Sequence, residues 1–348
     1  MADQVARAML AEVDRIAPSP RRVAVLDDPD GDLIIGAAKR RPGAELVVWC
    51  DSLTDQRAAV AAAAAAGLEI AMTDDLAAAV AGAELVLLRL PKSLAALELI
   101  AATVAGRADP GVVLLGGGRT KHLNRSMNDV LGRCFGAVRG SLGVGKARAL
   151  VATSPRAEAT TEPRRGRAGD LEVIAYGGVF AGATADRGTD LLLAQAERWP
   201  AAGTAIDLGC GTGLLAVTLA RRQPGAVITA IDSSIAAVRS AEATVAANGV
   251  ADRVAVRRGD GLRDVPDRSA DLILCNPPFH QGTAKDSSPA LTMIDDAGRV
   301  LRPGGELWLV YNTHLPYRSA LRSRVGRTEV ITQDRSYLVT RSVRGATS

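Results

Sequence analysis

The chain has 348 residues, is 47% hydrophobic and 23% charged, and carries a net charge of +4. This length predicts two domains, and the composition is that of a globular chain and excludes a disordered or fibrous one. No uncharged apolar run reaches the ~18 residues of a membrane helix. Met1-Ala2-Asp3-Gln4 opens no secretory leader, and Cys50, Cys134, Cys210 and Cys275 lack zinc or disulfide spacing, as do His122 and His314 for any metal.

In chain order, Val23-Ala24-Val25-Leu26-Asp27 reads as a first strand, and Asp28-Pro29-Asp30-Gly31 as the turn after it. Cys50-Asp51-Ser52 ends a second strand, the alanine run 58–66 predicts a helix, and Leu85 to Lys92 reads as a strand running into Arg89-Leu90-Pro91-Lys92. Residues 119–167 carry eleven Lys/Arg against three acids, and residues 318–344 carry seven Arg against Glu329 and Asp334. Such segregation fits either an RNA-phosphate surface or a solvated basic face. Within it, 153–170 is rich in Pro, Gly, Thr and Arg and reads as an interdomain linker.

The script then repeats. Strand 204–208 leads into Asp207-Leu208-Gly209-Cys210-Gly211-Thr212-Gly213, followed by helix 213–222, strand 226–231 ending at Asp232, and helix 234–248. Strand 253–257 leads to Gly259-Asp260, and strand 271–275 to Asn276-Pro277-Pro278-Phe279. Alternating strands and helices predict parallel sheets built from βαβ units. Paired against the later copy, Asp27 matches Asp207, Asp51 matches Asp232, and Arg89 matches Asn276. The early copy has Asp and Pro in place of the glycine loop, so it is expected to keep the fold and to lack the site.

The loop spacing is GxGxG, whereas dinucleotide sites use GxGxxG. A shorter loop suits S-adenosylmethionine, which presents a small carboxylate and amine and no phosphate. Asp232 is placed for the ribose hydroxyls and Asp260 for the adenine amine, although a lone acid there also reads as a helix cap or turn residue. At Asn276, two prolines restrict the backbone, so the side-chain oxygen and a neighbouring carbonyl can hold one planar NH₂ group. Phe279 can stack on a base, worth about 1–3 kcal/mol. Asn276, Pro277 and Phe279 are therefore the candidate catalytic residues, with Asp207, Gly209, Gly211, Gly213, Asp232 and Asp260 for the cofactor and no metal ligands. His280 either contacts substrate or caps a turn.

With these motifs the chain resembles the ribosomal RNA guanine-N2 methyltransferases, a class I S-adenosylmethionine-dependent family with a duplicated methyltransferase unit. Gly178-Val179-Phe180, Asp186 and Leu191-Leu192-Leu193 resemble the family segment that encloses the cofactor, which adds Phe180 to the cofactor set. Tyr311 to Tyr317 resembles the family's late strand-turn. Lys121-His122-Leu123 and Ser141-Leu142 through Lys146-Ala147-Arg148 are more similar to the large-subunit (23S) enzyme than to the small-subunit (16S) one. The chain departs from the family at Gly177, Ala181 and Gly145.

The resemblance implies two Rossmann-like α/β domains: a degenerate one at 1–152, the linker 153–170, and a catalytic one at 171–348. It further implies guanine N2 in ribosomal RNA, naked or in a ribosomal subunit, as the acceptor. A cytoplasmic monomer is expected, with no membrane partner, and Lys121, Arg125, Lys146, Arg148 and His280 are candidates for RNA contact. The residues alone also admit an adenine-N6 or glutamine-amide methyltransferase, or a non-catalytic RNA-binding assembly factor.

Overall fold

The computed structural model describes residues 3–16, 20–157, 161–277 and 288–345. The chain divides into two compact units, Met1–Glu162 and Pro163–Ser348. Among the described residues no helix is long and apolar enough to cross a membrane.

Unit 1 runs α1 (Gln4–Ile16), β1 (Arg22–Leu26), α2 (Asp32–Arg40), β2 (Glu45–Trp49), α3 (Leu53–Ala65), β3 (Ala71–Met72) and α4 (Leu76–Val80). It continues with β4 (Leu85–Arg89), α5 (Leu94–Arg107), β5 (Val113–Arg119), α6 (Arg125–Cys134), β6 (Phe135–Gly140) and β7 (Ala147–Pro155). Its seven strands lie in the order β3-β2-β1-β4-β5-β7-β6. The first five are parallel and β7 is antiparallel to both neighbours. β1 and β4 are nearly continuous aliphatic runs because both faces of a parallel sheet are covered.

Unit 2 runs β8 (Arg164–Ala168), β9 (Leu171–Ala175), α7 (Arg187–Leu193), β10 (Thr204–Leu208), α8 (Leu214–Arg222), β11 (Val227–Asp232) and α9 (Ile235–Ala247). Then follow β12 (Val254–Arg258), β13 (Ala270–Cys275), α10 (Ser288–Val300), β14 (Leu301–Asn312), α11 (Tyr317–Arg324), β15 (Gly326–Gln333) and β16 (Tyr337–Arg344). The large sheet reads β12-β11-β10-β13-β14-β16-β15, the same order as in unit 1. Alternation along the strands builds two cores. Leu272 and Leu274 pack with Trp308 and Val310 on one face, and Ile273 and Cys275 pack with Leu309 and Tyr311 on the other.

The expectation of a linker across 153–170 needs correction. Thr153 to Pro155 complete β7 through pairing with β6, and Arg164–Ala168 form β8 against β9. The second edge of β9 is satisfied by side chains spaced every four residues on one face of α9. Ile174 N–H donates to Thr244 Oγ1 (3.0 Å) and Tyr176 N–H to Ser240 Oγ (2.9 Å). Asn248 beyond the helix end accepts from Glu172 N–H (3.2 Å) and returns a bond to Glu172 O (2.8 Å). A Pro- and Gly-rich stretch becomes strand here because tertiary partners meet its backbone groups.

The strand registers also correct the pairing of the two copies. Leu26 pairs with Leu88 as Leu208 pairs with Cys275, and with Trp49 as Leu208 pairs with Ile231. Leu26 therefore corresponds to Leu208, Asp27 to Gly209, Cys50 to Asp232 and Asp51 to Ser233. The similar spacing of the acids is a coincidence of composition. Arg89 does stand where Asn276 stands, as the sequence indicates.

Candidate active site

In both sheets the order reverses between the first and fourth strands, which opens a crevice at their carboxyl ends. In unit 2 the loop from β10 to α8 edges this crevice. Gly209, Gly211 and Gly213 all have positive φ, at +70°, +53° and +78°, a region that favours glycine. A Cβ at Gly209 or Gly211 would meet nothing within 4 Å, whereas one at Gly213 would lie 3.2 Å from Ala241 Cβ. Two glycines thus leave the loop's face open, and the third lets α8 pack on α9.

Asp207 lies under this loop, 1% exposed. Its Oδ2 accepts from Ala216 N–H in the first turn of α8 (3.0 Å), and its Oδ1 is buried without a hydrogen-bond partner. Burial, reinforced by the Asp232 charge, pushes its carboxyl up to about 7. Asp232 is half-buried at the end of β11 and accepts from Gly211 N–H and Ser234 N–H, each at 3.0 Å. Asp260 follows β12 in the same rim and pairs with Arg263 at 3.7 Å. The Cys210 and Cys275 thiols are buried and pushed well up by that burial, which fits packed residues and not nucleophiles.

Asn276 follows β13 directly. Its Nδ2 donates to Asp186 Oδ1 and to Thr189 Oγ1, both at 2.9 Å. Asp186 caps α7, accepting from Gly188 N–H (2.9 Å) and Thr189 N–H (3.3 Å), and it also accepts from the Thr189 hydroxyl at 2.5 Å. Gly188 lets the carboxamide rest on this helix start, since a Cβ there would lie 3.1 Å from Asn276 Oδ1. Sequence reasoning missed Thr189 and the tie from Asp186 to Asn276. Asp186-x-x-Thr189 ahead of an apolar run announces a capped helix, and nothing in it points to a partner 90 residues away.

The other expected residues are distributed unevenly. Pro277 is buried behind Asn276 and lines a small apolar cavity with Met293 and Tyr317. Phe180 is 57% exposed, while the preceding Val179 packs on Ala175 and Ala237. Pro278, Phe279 and His280 lie outside the described residues. In unit 1, Lys121, Arg125, Lys146 and Arg148 are all exposed. Lys121 and Lys146 line a groove of about 920 Å³ with Arg7 and Arg119, and Arg125 and Arg148 lie outside that lining. The two basic stretches are partly neutralised, mostly by acids outside them: Arg133 pairs with Glu98, Arg139 with Glu12, Arg324 with Asp295, and Arg341 with Glu306 and Glu329.

The corresponding crevice of unit 1 is filled by its own side chains. Asp28 is fully buried and caps α2 through Leu33 N–H (2.8 Å) and Ile34 N–H (3.1 Å). Arg89 reaches Asp28 Oδ1 at 2.9 Å, Asp3 Oδ2 at 2.7 Å and Asp30 Oδ2 at 3.8 Å. A guanidinium thus occupies the position that Asn276 holds in unit 2.

Residues 170–341 match the methyltransferase small domain and residues 2–156 the RLMG N-terminal domain. The ribosomal RNA large subunit methyltransferase G of Streptomyces coelicolor is 38% identical over 75% of this chain and 72% of its own length. The protein of the same name from Streptomyces griseus is 34% identical over 92% of this chain and 86% of its own. A T. thermophilus 16S rRNA N2 methyltransferase, solved in complex with AdoMet and guanosine, shares the fold with a TM-score of 0.77 at 23% identity, covering 98% of this chain and 92% of that one. The duplicated sheet, the open glycine loop and these relatives agree, and the chain belongs to the ribosomal RNA large subunit methyltransferase G family.

Proposed function

We propose that the chain transfers a methyl group from S-adenosylmethionine to the exocyclic N2 of a guanine in large-subunit ribosomal RNA. One observation carries this reading. The amide nitrogen of Asn276 is held by two acceptors within the protein, while its Oδ1 takes no hydrogen bond among the described residues. A fixed acceptor at the crevice suits an incoming NH₂ group. The names of the relatives support ribosomal RNA of the large subunit, and the choice of guanine N2 rests on the resemblance of the loop and clamp motifs.

The residues fit the cofactor. Gly209 and Gly211 leave open space where a side chain would otherwise stand, Asp232 fixes the loop through Gly211 N–H, and Asp260 and the exposed Phe180 complete the set. When bound, S-adenosylmethionine supplies an electrophilic methyl on its sulfonium. The chain binds and orients. Asn276 Oδ1, with a backbone carbonyl beside Pro277, accepts from the N–H groups of the base and draws the nitrogen lone pair out of ring conjugation. Positioning and electrostatics carry the rate, and the proton made acidic on nitrogen leaves to water. Phe279 is the stacking partner on this reading. Lys121, Lys146 and their neighbours in the unit 1 groove, with Arg125, Arg148 and His280, are the RNA contacts. We further infer a cytoplasmic enzyme that acts as a monomer on RNA or an assembled subunit. Light scattering near 36.0 kDa would bear out the monomer.

The test is transfer of labelled methyl to undermethylated large- and small-subunit RNA, assayed separately and digested to nucleosides. N2-methylguanosine in large-subunit RNA is expected. Label in small-subunit RNA alone overturns the choice of subunit. No label in RNA or assembled subunits, from a protein that binds the cofactor, overturns the substrate and turns attention to adenine N6 and glutamine amides.

A further inference from the structure

We infer that Asp186 and Thr189 are positioning residues that fix which pole of the Asn276 carboxamide faces the substrate, and so restrict this site to hydrogen-bond-donating acceptors such as amines. The inference rests on the reading of Asn276 above and extends it to residues that touch neither substrate nor the reacting atoms.

The argument is one of hydrogen-bond valence. A side-chain amide has two N–H donors and one acceptor oxygen, and its two orientations have nearly the same shape. Something must choose between them. An ionised carboxylate only accepts, so Asp186 sets the polarity of everything bonded to it. The Thr189 hydroxyl spends its single proton on Asp186 Oδ1, which leaves Thr189 Oγ1 an acceptor toward Asn276. The amide nitrogen also donates to Asp186 Oδ1 itself. The nitrogen end of Asn276 is then committed to two acceptors, and Oδ1 is the pole left for a ligand. Turning the amide over would set Oδ1 against a carboxylate and a hydroxyl whose proton is already committed, leaving two N–H donors to repel an incoming NH₂ group.

The arrangement is also rigid. Asp186 is anchored as the cap of α7 by Gly188 N–H and Thr189 N–H. Gly188 offers no side chain under the carboxamide, where a Cβ would come within 3.1 Å of Oδ1 and 3.3 Å of Nδ2. Arg187 ties the same turn to Asp334 at 2.9 Å. Few degrees of freedom remain when an amine arrives, which is the condition under which a single acceptor contributes most to rate.

The experiment compares steady-state transfer to RNA and cofactor affinity in D186N, T189V, T189S, N276A, N276D and the double variant N276D/D186N. T189V keeps the shape and removes the hydroxyl; it should lower kcat by roughly 10- to 100-fold while cofactor affinity changes by less than about threefold. T189S should recover most of that loss. N276D sets two carboxylates against each other, and adding D186N supplies an amide donor to the introduced carboxylate. The double variant should therefore exceed N276D in kcat, an outcome that mere damage to helix α7 does not produce. T189V and D186N turning over like the wild type, with N276A inactive, would overturn the positioning role and leave the proposed function standing. Full turnover by N276A would instead overturn the function on which this inference rests. A double variant no better than N276D, with T189S no better than T189V, would reduce Asp186 and Thr189 to a helix cap.

Discussion

The two crevices at the strand reversals are built on the same scaffold and differ in what fills them. Each sheet has the order three-two-one-four-five-seven-six, and each first loop enters its helix through a glycine in the left-handed region, Gly31 at φ +72° and Gly213 at φ +78°. In unit 2 the helix is capped by Asp207 from beneath, so the loop above stays small and open. In unit 1 the corresponding strand position is Val25, and the cap comes instead from Asp28 within the loop. A carboxylate buried there needs a counter-ion, and Arg89 provides it from the position of Asn276. The two buried caps are accommodated differently: Asp28 is paired with Arg89 in an internal ion cluster, whereas Asp207 has no such pair and its carboxyl is pushed up to about 7.

The largest expected effect breaks the comparison at its centre. N276A should lower methyl transfer by at least 100- to 1,000-fold with cofactor binding retained, measured by single-turnover label transfer and calorimetry. Its counterpart R89A should leave transfer per folded molecule unchanged and destabilise unit 1 by about 3–5 kcal/mol, since Asp28 would remain buried and unpaired. Denaturant unfolding reads this directly, and R89A/D28N should recover part of the loss.

Both units hold a carboxyl raised from 3.8 to about 7, Asp207 in one and Asp27 in the other, with burial the leading cause in each. In each case the folded value exceeds the unfolded one, so the folded chain binds more protons between about pH 4 and pH 7. The stabilisation is full below pH ~4 and is lost as the pH rises through about 7. D207N and D27N should each flatten this fall, by up to a few kcal/mol across the window, as read from thermal unfolding of the cofactor-free protein at pH 5 and pH 8. Equal slopes in wild type and variants would show that neither carboxyl titrates as its burial implies. The smallest effect concerns the cofactor side. D232A should weaken cofactor binding by about 1.5–3 kcal/mol, the scale of hydrogen bonds to a charged group, and raise the cofactor KM with kcat nearly restored at saturation.

Much of this was legible in the chain itself. Strand 204–208 and the strand entering Asn276 are readable because fully buried parallel strands are short aliphatic runs with glycine or proline at their ends. The duplication is readable too, and so is the match of Arg89 to Asn276, but the register at the ends of the first two strands is not. Asp27 and Asp207 invite a match as the first acids after aliphatic runs, although one lies in a loop at φ +56° and the other is a strand residue. The strand at Arg164–Ala168 is hidden by a composition that favours a linker, since it depends on Gly166 passing beneath Ala183 O, where a Cβ would come within 2.1 Å.

By itself the sequence determined the two α/β units, the glycine loop with its acid on the next strand, and the Asn-Pro pair that follows a buried strand. These are local in origin: they follow from hydrophobic period, positive-φ glycines and restricted prolines. The tertiary structure alone decided what those residues do to one another. Asp186 and Asn276 lie 90 residues apart and meet at 2.9 Å, while Arg89 and Asp28 meet across 61 residues at 2.9 Å. Both contacts exist because elements distant in sequence meet at one crevice, where each buried polar group must find its partner in whatever the fold brings beside it.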